Sequence, residues 1–517
     1  MEVHALWTLR PDGTMSDTLY KHHMRAPCGL RDTRSVPGST KLVSIATGHH
    51  TFAYGPVVLV DPAAGMNAVA GLEIVTPGVR PQEGPMAGRP VAEGGVPDQG
   101  GLYHTPWALS EKCFLVSYSY ARPNCRAPGG VDANGFGVYF IDVYGNRELL
   151  HRDPVLSCTF PMPLAKRPRP PRVPDVAARG RSRFSRSENG TIPFPESATC
   201  FVPDVYDGME GIERGTIKHL RIAQHVGWPF DEERGQMDYI PGNAGTRRID
   251  FQSWSPVRVI GTVPVERDGS ACFTVPADTA VYFQALDERQ MEVRRMRSVV
   301  SLKAGEVRGC SGCHESRAVA PTLPSSLPLA LERSPRTPTP PPWGADTMLG
   351  YESLVQPILD RHCVRCHGRE KPDGGLDFTA TRADDGLCQS FRTMFGKLPG
   401  AKEPGRLLVS CSNRFSNADV SRLREFGSHQ SPLVRVLLDD DLHKKEVSLG
   451  ATDWLTLVTW VDANAPYYDA FFNKRRTDGG EPAREVYPQF APFAQHDSRL
   501  RPDLARRPWS DNGGDEP

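Results

Sequence analysis

Residues 308–317, RGCSGCHESR, and 360–370, DRHCVRCHGRE, each place two cysteines three apart with a histidine directly after the second. Two thiols at that spacing can add to the two vinyl groups of haem, and the adjacent histidine is then delivered to the iron as an axial ligand. Cys310, Cys313 and His314 form one such set, and Cys363, Cys366 and His367 form the other. The cofactors implied are two covalently attached haems c, with their iron. A zinc site built from two CxxC pairs competes with this reading. It would have to bring together pairs separated by 49 residues, part of them proline-rich, and it leaves the repeated histidine unexplained. A thioredoxin-like redox pair expects a βαβ context, and none surrounds either segment.

The other eight cysteines, Cys28, Cys113, Cys125, Cys158, Cys200, Cys272, Cys388 and Cys411, show no pair spacing. They read as small buried apolar residues. Cys388 with Cys411 is the pair expected if an oxidising compartment makes a disulfide.

A haem iron has a second axial position. Opposite His367 the candidates are His429, His443, His362 and Met394, and His362 is poorly placed because it adjoins Cys363. Opposite His314 nothing is near in sequence, and His22, His23, His49, His50 and His104 lie far upstream.

The elements that must position these groups are mixed. The chain has 517 residues, too many for one core. The 61 basic residues balance the 61 acidic ones, which gives no reason to expect nucleic acid as a partner. No apolar run approaches the roughly 20 residues of a membrane helix, so no integral membrane segment is expected. Within 1–160 a motif of apolar strand, aspartate and turn recurs, as LWTLRPDGT from Leu6, VVLVDPAAG from Val57 and VYFIDVYGN from Val138. That is the pattern of propeller blades, here a partial β-propeller, since closed ones typically need about four to eight. Residues 161–194 are rich in proline and arginine and read as a linker or surface excursion. Residues 195–319 alternate apolar and polar positions and predict a β-rich, sandwich-like domain ending in the first CxxCH. A second proline-rich linker spans 320–346. Residues 347–470 change to helical periodicity, with Leu354, Val355, Ile358 and Leu359 on one face and Trp454, Leu457, Val458 and Val461 on another. Residues 471–517 form a polar tail. The fold class predicted is multidomain and mainly β, followed by a small, mostly α, cytochrome c-like domain.

LVQPILDRHCVRCHGREKPDGGLDF and WVDANAPYY resemble the haem segment and closing helix of planctomycete-type cytochrome c domains. In those domains a methionine before the closing helix commonly supplies the sixth ligand. The matching stretch here, DDDLHKKEVSLGATDWLTLVTW, has no methionine. The resemblance therefore implies His443 in that role, with His429 as the alternative. Lys444 and Lys445 would first have to lose a proton. More widely, SVPGSTKLVSIATGHH, YGNRELLHRDP, RGTIKHLRIAQ, GTVPVERDGSACFTVPA, YFQALDERQMEVRRMRS and GEVRGCSGCHESR follow an order similar to proteins related to the alpha subunit of hydrazine synthase. That family implies a propeller-type region, c-type haems and an exported, periplasmic location. The synthase itself condenses nitric oxide with an ammonia-derived species in a multi-subunit complex. The expected function is electron transfer by an exported dihaem c-type cytochrome, with a redox protein or sister subunits as partner. The alternatives are a haem oxidoreductase acting on small nitrogen compounds at the first haem, and a propeller scaffold with structural haems. No small-molecule substrate can be named from the residues. The first residues, MEVHALWTLRPDGT, are not a signal peptide, so a start upstream of Met1 is expected.

Overall fold

The strand, aspartate and turn repeats mark strands in the structure, a computed structural model describing residues 4–21, 24, 26–48, 53–81, 102–120, 133–166, 169, 171–174, 186–187, 190–191, 197–227, 239–241, 256–296, 298–313, 326–370, 372–383, 387–395, 407–411, 422–473 and 485–486. β1 (Leu6–Thr8) and β2 (Asp17–Tyr20) form a hairpin. Its turn is set by the Asp12 carboxylate, which accepts from the backbone N–H and hydroxyl of Thr14.

Two four-stranded antiparallel meanders follow. The first runs β3 (Gly29–Ser35), β4 (Leu42–Thr47), β5 (Val57–Val60), β6 (Leu72–Ile74). The second runs β7 (Leu102–Ala108), β8 (Cys113–Ser119), β9 (Gly137–Asp142), β10 (Arg147–His151). Val57 and Leu59 point into a core shared with Phe114, Val116, Tyr139 and Ile141 of the second sheet. Val58 and Val60 point the other way, toward Leu6, Tyr20 and Leu30. Cover on both faces is why β5 reads as an unbroken apolar run, VVLV. β9 is covered on one face only and alternates buried with half-buried residues. The repeats at Val57 and Val138 are thus the third strands of the two meanders. The repeat at Leu6 makes only a hairpin.

Residues 197–309 build two further sheets on one core. β11 (Arg186–Ser187) and β12 (Gly190–Thr191) pair just before them. β13 (Ser197–Val202) lies between β17 (Ala271–Pro276), antiparallel, and β20 (Val307–Gly309), parallel. β14 (His219–His225), β16 (Val257–Pro264), β18 (Tyr282–Leu286) and β19 (Glu292–Arg295) form a sheet in the order β16-β14-β18-β19. Cys200, Val202, Phe273 and Val275 from the first sheet meet Ile222, Val263, Ala285 and Val293 from the second. A small sheet of β15 (Tyr239–Pro241), β21 (Phe471–Asn473) and β22 (Glu485–Val486) joins distant parts of the chain. No sheet among the described residues closes into a barrel.

The helical part starts with a π-helical turn, Tyr351–Val355, continuous with α1 (Gln356–His362). It continues with α2 (Gln389–Phe395), α3 (Pro432–Asp439), α4 (Asp441–Glu446) and α5 (Ala451–Asp462). Of the predicted faces, Val355, Ile358, Leu359, Leu457, Val458 and Val461 are buried, and Leu354 and Trp454 are half-buried. Trp460, fully buried, packs near Tyr351 and Phe391 and donates from Nε1 to the Pro466 carbonyl at 2.8 Å. Cys388 and Cys411 are separate thiols and not the expected disulfide. Cys388 instead receives a hydrogen bond from the Tyr467 hydroxyl at 3.5 Å. No helix among the described residues is long and apolar enough to cross a membrane.

The stretch 320–346 is corrected by its described part. Residues 326–346 are not a free linker but a strap along the β sandwich. Thr339 and Thr262 exchange backbone hydrogen bonds at 2.9 Å, and Arg336 N–H donates to the Cys272 carbonyl at 2.9 Å. The strap lies so close to β16 that a Cβ at Gly261 would come within 2.6 Å of the Thr339 carbonyl oxygen. Gly261→Ala is therefore expected to lower stability by about 1–3 kcal/mol through overpacking. It should also open residues 326–346 to proteolysis. Melting and limited digestion of the variant beside wild type measure both.

Candidate functional site

α1 runs straight into the second CxxCH segment. Cys363 N–H still donates to Leu359 O at 2.8 Å, and Cys366 and His367 N–H both donate back to Cys363 O, at 3.1 and 2.9 Å. The two thiols and the imidazole therefore sit on one turn. Cys363 is half-buried against the helical core and Cys366 is exposed. Burial, with Cys366 beside it, pushes the Cys363 thiol up to about 11.

A tight turn behind the segment fixes His367. Asp373–Gly375 form a 3-10 turn, with Gly374 at φ 61° and Gly375 at φ 72°, a backbone that glycine adopts at least cost. The turn points the Asp373 carbonyl at His367 Nδ1, 3.0 Å away. Phe378 packs edge-on against the ring, centroid to centroid 5.1 Å.

His443 comes from α4. Asp440 caps this helix, accepting from His443 N–H at 3.0 Å, and the same oxygen lies 2.8 Å from His443 Nδ1. The hydrogen bond from His443 holds the Asp440 carboxyl below the usual range. A carbonyl and a carboxylate can only accept, so both histidines carry their proton on Nδ1. In the neutral imidazole each Nε2 then keeps its lone pair, the arrangement of metal-binding histidines oriented by an outer acceptor. The two rings are nearly parallel, 11° apart, with centroids separated by 6.3 Å. Two imidazoles bonding one metal from opposite sides at about 2 Å each have ring centres roughly 6 Å apart. Two histidines, each with Nδ1 held by an acceptor, are donors of the type that a haem iron takes.

The other candidates face elsewhere. His429 Nε2 is 3.0 Å from Asp287 Oδ2, toward the β18–β19 turn. His362 Nε2 is bound to Asp453 at 2.9 Å. Met394 is fully buried in the helical core. Lys444 is occupied by the Asp439 carbonyl at 3.2 Å. Asp440 and the Asp373 carbonyl were not singled out from sequence. An aspartate three residues before His443, at a helix start, is the signal that could have found the first.

The first CxxCH segment leaves β20. Cys310 N–H donates to the Phe201 carbonyl at 2.8 Å, and Cys310 and Cys313 are half-buried against the sandwich core. Gly312 passes so close to Asp207 that a Cβ there would lie 2.4 Å from its carbonyl oxygen. Just upstream, buried Arg308 reaches Asp17 of β2 at 3.3 Å and so ties this segment to the N-terminal hairpin. His314, His22, His23, His49 and His50 lie outside the described residues. His104 is held by Asp32 and the Ala53 carbonyl, each at 3.1 Å. Among the described residues, no three histidine, cysteine or carboxylate side chains converge as a metal site. Cys310, Cys313, Cys363 and Cys366 therefore do not assemble as zinc would require.

Comparison with known proteins agrees with this architecture. Residues 215–315 match the family described as hydrazine synthase alpha subunit middle domain. That span holds β14 to β20 and the first CxxCH. A solved structure of Kuenenia stuttgartiensis hydrazine synthase is similar at a TM-score of 0.63 and 17% identity, over 94% of this chain and 67% of that one. No curated protein sequence matches the chain.

Proposed function

The chain is related to the hydrazine synthase alpha subunit through its middle domain, and from that premise we propose that it is an exported dihaem c-type cytochrome that transfers electrons. The observation that carries this is the His367–His443 pair, 6.3 Å apart and both protonated on the far nitrogen. A c-type haem attached through Cys363 and Cys366 would supply one-electron chemistry at its iron. The chain's own part is to hold both imidazoles, through Asp373 and Asp440, in one tautomer with their rings nearly parallel. Two histidines offered to the iron would favour the relay of electrons over binding of substrate. Cys310, Cys313 and His314 would carry the second haem. The meanders and sandwich are read as a partial propeller and a β domain ahead of a cytochrome c-like unit at 347–470. Sister subunits or a redox protein are the partners this reading implies.

Mass spectrometry of protein exported by a strain with haem-maturation machinery tests it. Two added haems are expected. Cys363→Ser with Cys366→Ser should remove one of them, and Cys310→Ser with Cys313→Ser the other. A single haem in the wild-type protein would retire the dihaem reading, and none would retire the cytochrome.

A further inference from the structure

Little besides its own contacts holds His443 in place. Leu438 and Leu449, on either side, pack against the helical core. Between them α4 buries none of its residues, and only His443 of the six is less than exposed. Among the described residues, one side-chain bond crosses from α4 to the segment bearing His367. Arg365, between the two cysteines, donates from Nη2 to Glu446 Oε2 at 2.9 Å. The side chains are 67% and 43% exposed. Exposed pairs of this kind are weak and yield to salt.

We propose that Arg365 and Glu446 form a latch, positioning residues that set how readily His443 leaves its place opposite His367. They thereby set how readily a small neutral ligand takes that place. This rests on the reading of residues 363–367 as haem-bearing. The physical reason is a competition. A ligand such as carbon monoxide gains the iron only when His443 has moved away, so its apparent affinity scales with the fraction of time α4 is released. An ion pair that closes α4 lowers that fraction, and its loss raises it by the pair's worth. Residue 365 lies within the attachment segment itself, so the latch closes α4 over the site it covers.

The experiment is carbon monoxide titration of the reduced, haem-loaded full chain at low salt and at about 1 M salt, where the screening length shrinks to roughly 3 Å and exposed ion pairs weaken. The phase belonging to this haem is the one that His443→Ala accelerates. At low salt Arg365→Glu and Glu446→Arg should each raise its affinity roughly two- to five-fold. The double variant, with the charges exchanged, should return to the wild-type value. High salt should raise wild type by a similar factor and the single variants less. Unchanged affinity across all four proteins at both salts, with haem found on the Cys363–Cys366 peptide, overturns the latch alone. A peptide without haem overturns the reading beneath it as well. A double variant no closer to wild type than the singles shows local disturbance and also overturns the latch.

Discussion

Replacing His443 by alanine is expected to convert one haem from low-spin to high-spin and to leave its iron open to carbon monoxide. Replacing His429 by alanine should leave that spectrum unchanged. The contrast follows from where the two imidazoles are spent. His429 places Nε2 3.0 Å from Asp287 Oδ2, whereas the His443 ring lies parallel to His367 at 6.3 Å. Asp440→Ala tests the same geometry one step back. It keeps the imidazole but frees its Nδ1, and loss of such an outer acceptor costs roughly 10–100-fold in metal affinity. The variant should therefore show a mixture of spin states that shifts with temperature. His443→Met should stay low-spin at a higher potential, since methionine opposite histidine raises it. Absorption and electron paramagnetic resonance spectra read all four variants. A high-spin change in His429→Ala with none in His443→Ala would reverse the assignment.

Much of this site is written in side-chain types, and that part is legible in the sequence. Covalent spacing marks Cys363, Cys366 and His367. The lack of methionine before the closing helix directs attention to His443. The parts that orient these groups are written in backbone. The Asp373 carbonyl that fixes His367 depends on two left-handed glycines, and any residue at 373 offers a carbonyl. The proline-rich strap shows the same limit. Its composition excludes helix, but its docking rests on main-chain hydrogen bonds at Arg336 and Thr339 and on the missing side chain at Gly261. None of these alters an apolar pattern. Periodicity did mark the strands, because two-sided cover of β5 and one-sided cover of β9 leave different spellings. It could not say that Cys388 and Cys411 stay apart, since spacing carries no direction in space.

The closing-helix motif WVDANAP has a structural reason, and it yields the other large expected effect. Asp462 is fully buried at the end of α5, where the helical part meets the sheet of β14, β18 and β19. One carboxylate oxygen accepts from Ser428 N–H at 2.7 Å, and the other from Glu292 N–H at 3.0 Å. The second oxygen also lies 3.5 Å from the guanidinium of Arg221, itself 1% exposed. The Asp462 carbonyl takes Gln284 Nε2 at 2.9 Å, and Asn464 takes Arg295 at 2.7 Å. Four hydrogen bonds and the Arg221 contact thus tie one helix end to three strands and a loop. Asp462→Ala would strand Arg221 without its facing charge and leave two backbone N–H groups unpaired. Burial, with Asp462 nearby, pushes the Glu292 carboxyl up to about 7 against the pull of Arg295, and Glu292 is already engaged by Arg295 and Gln284. Breaking a buried pair from one side costs about 3–5 kcal/mol, which for a domain of this kind lowers the melting temperature by roughly 10 °C. The loss should also separate the parts. In wild type the haem absorbance and the β-sheet circular dichroism should melt together. In Asp462→Ala the haem signal should go first. Asp462→Asn keeps the shape but turns an amide toward Arg221, so it should fall close to alanine. If both variants melt within about 2 °C of wild type in one transition, the contact between sheet and helix is held by apolar packing, and the aspartate of the motif has another purpose.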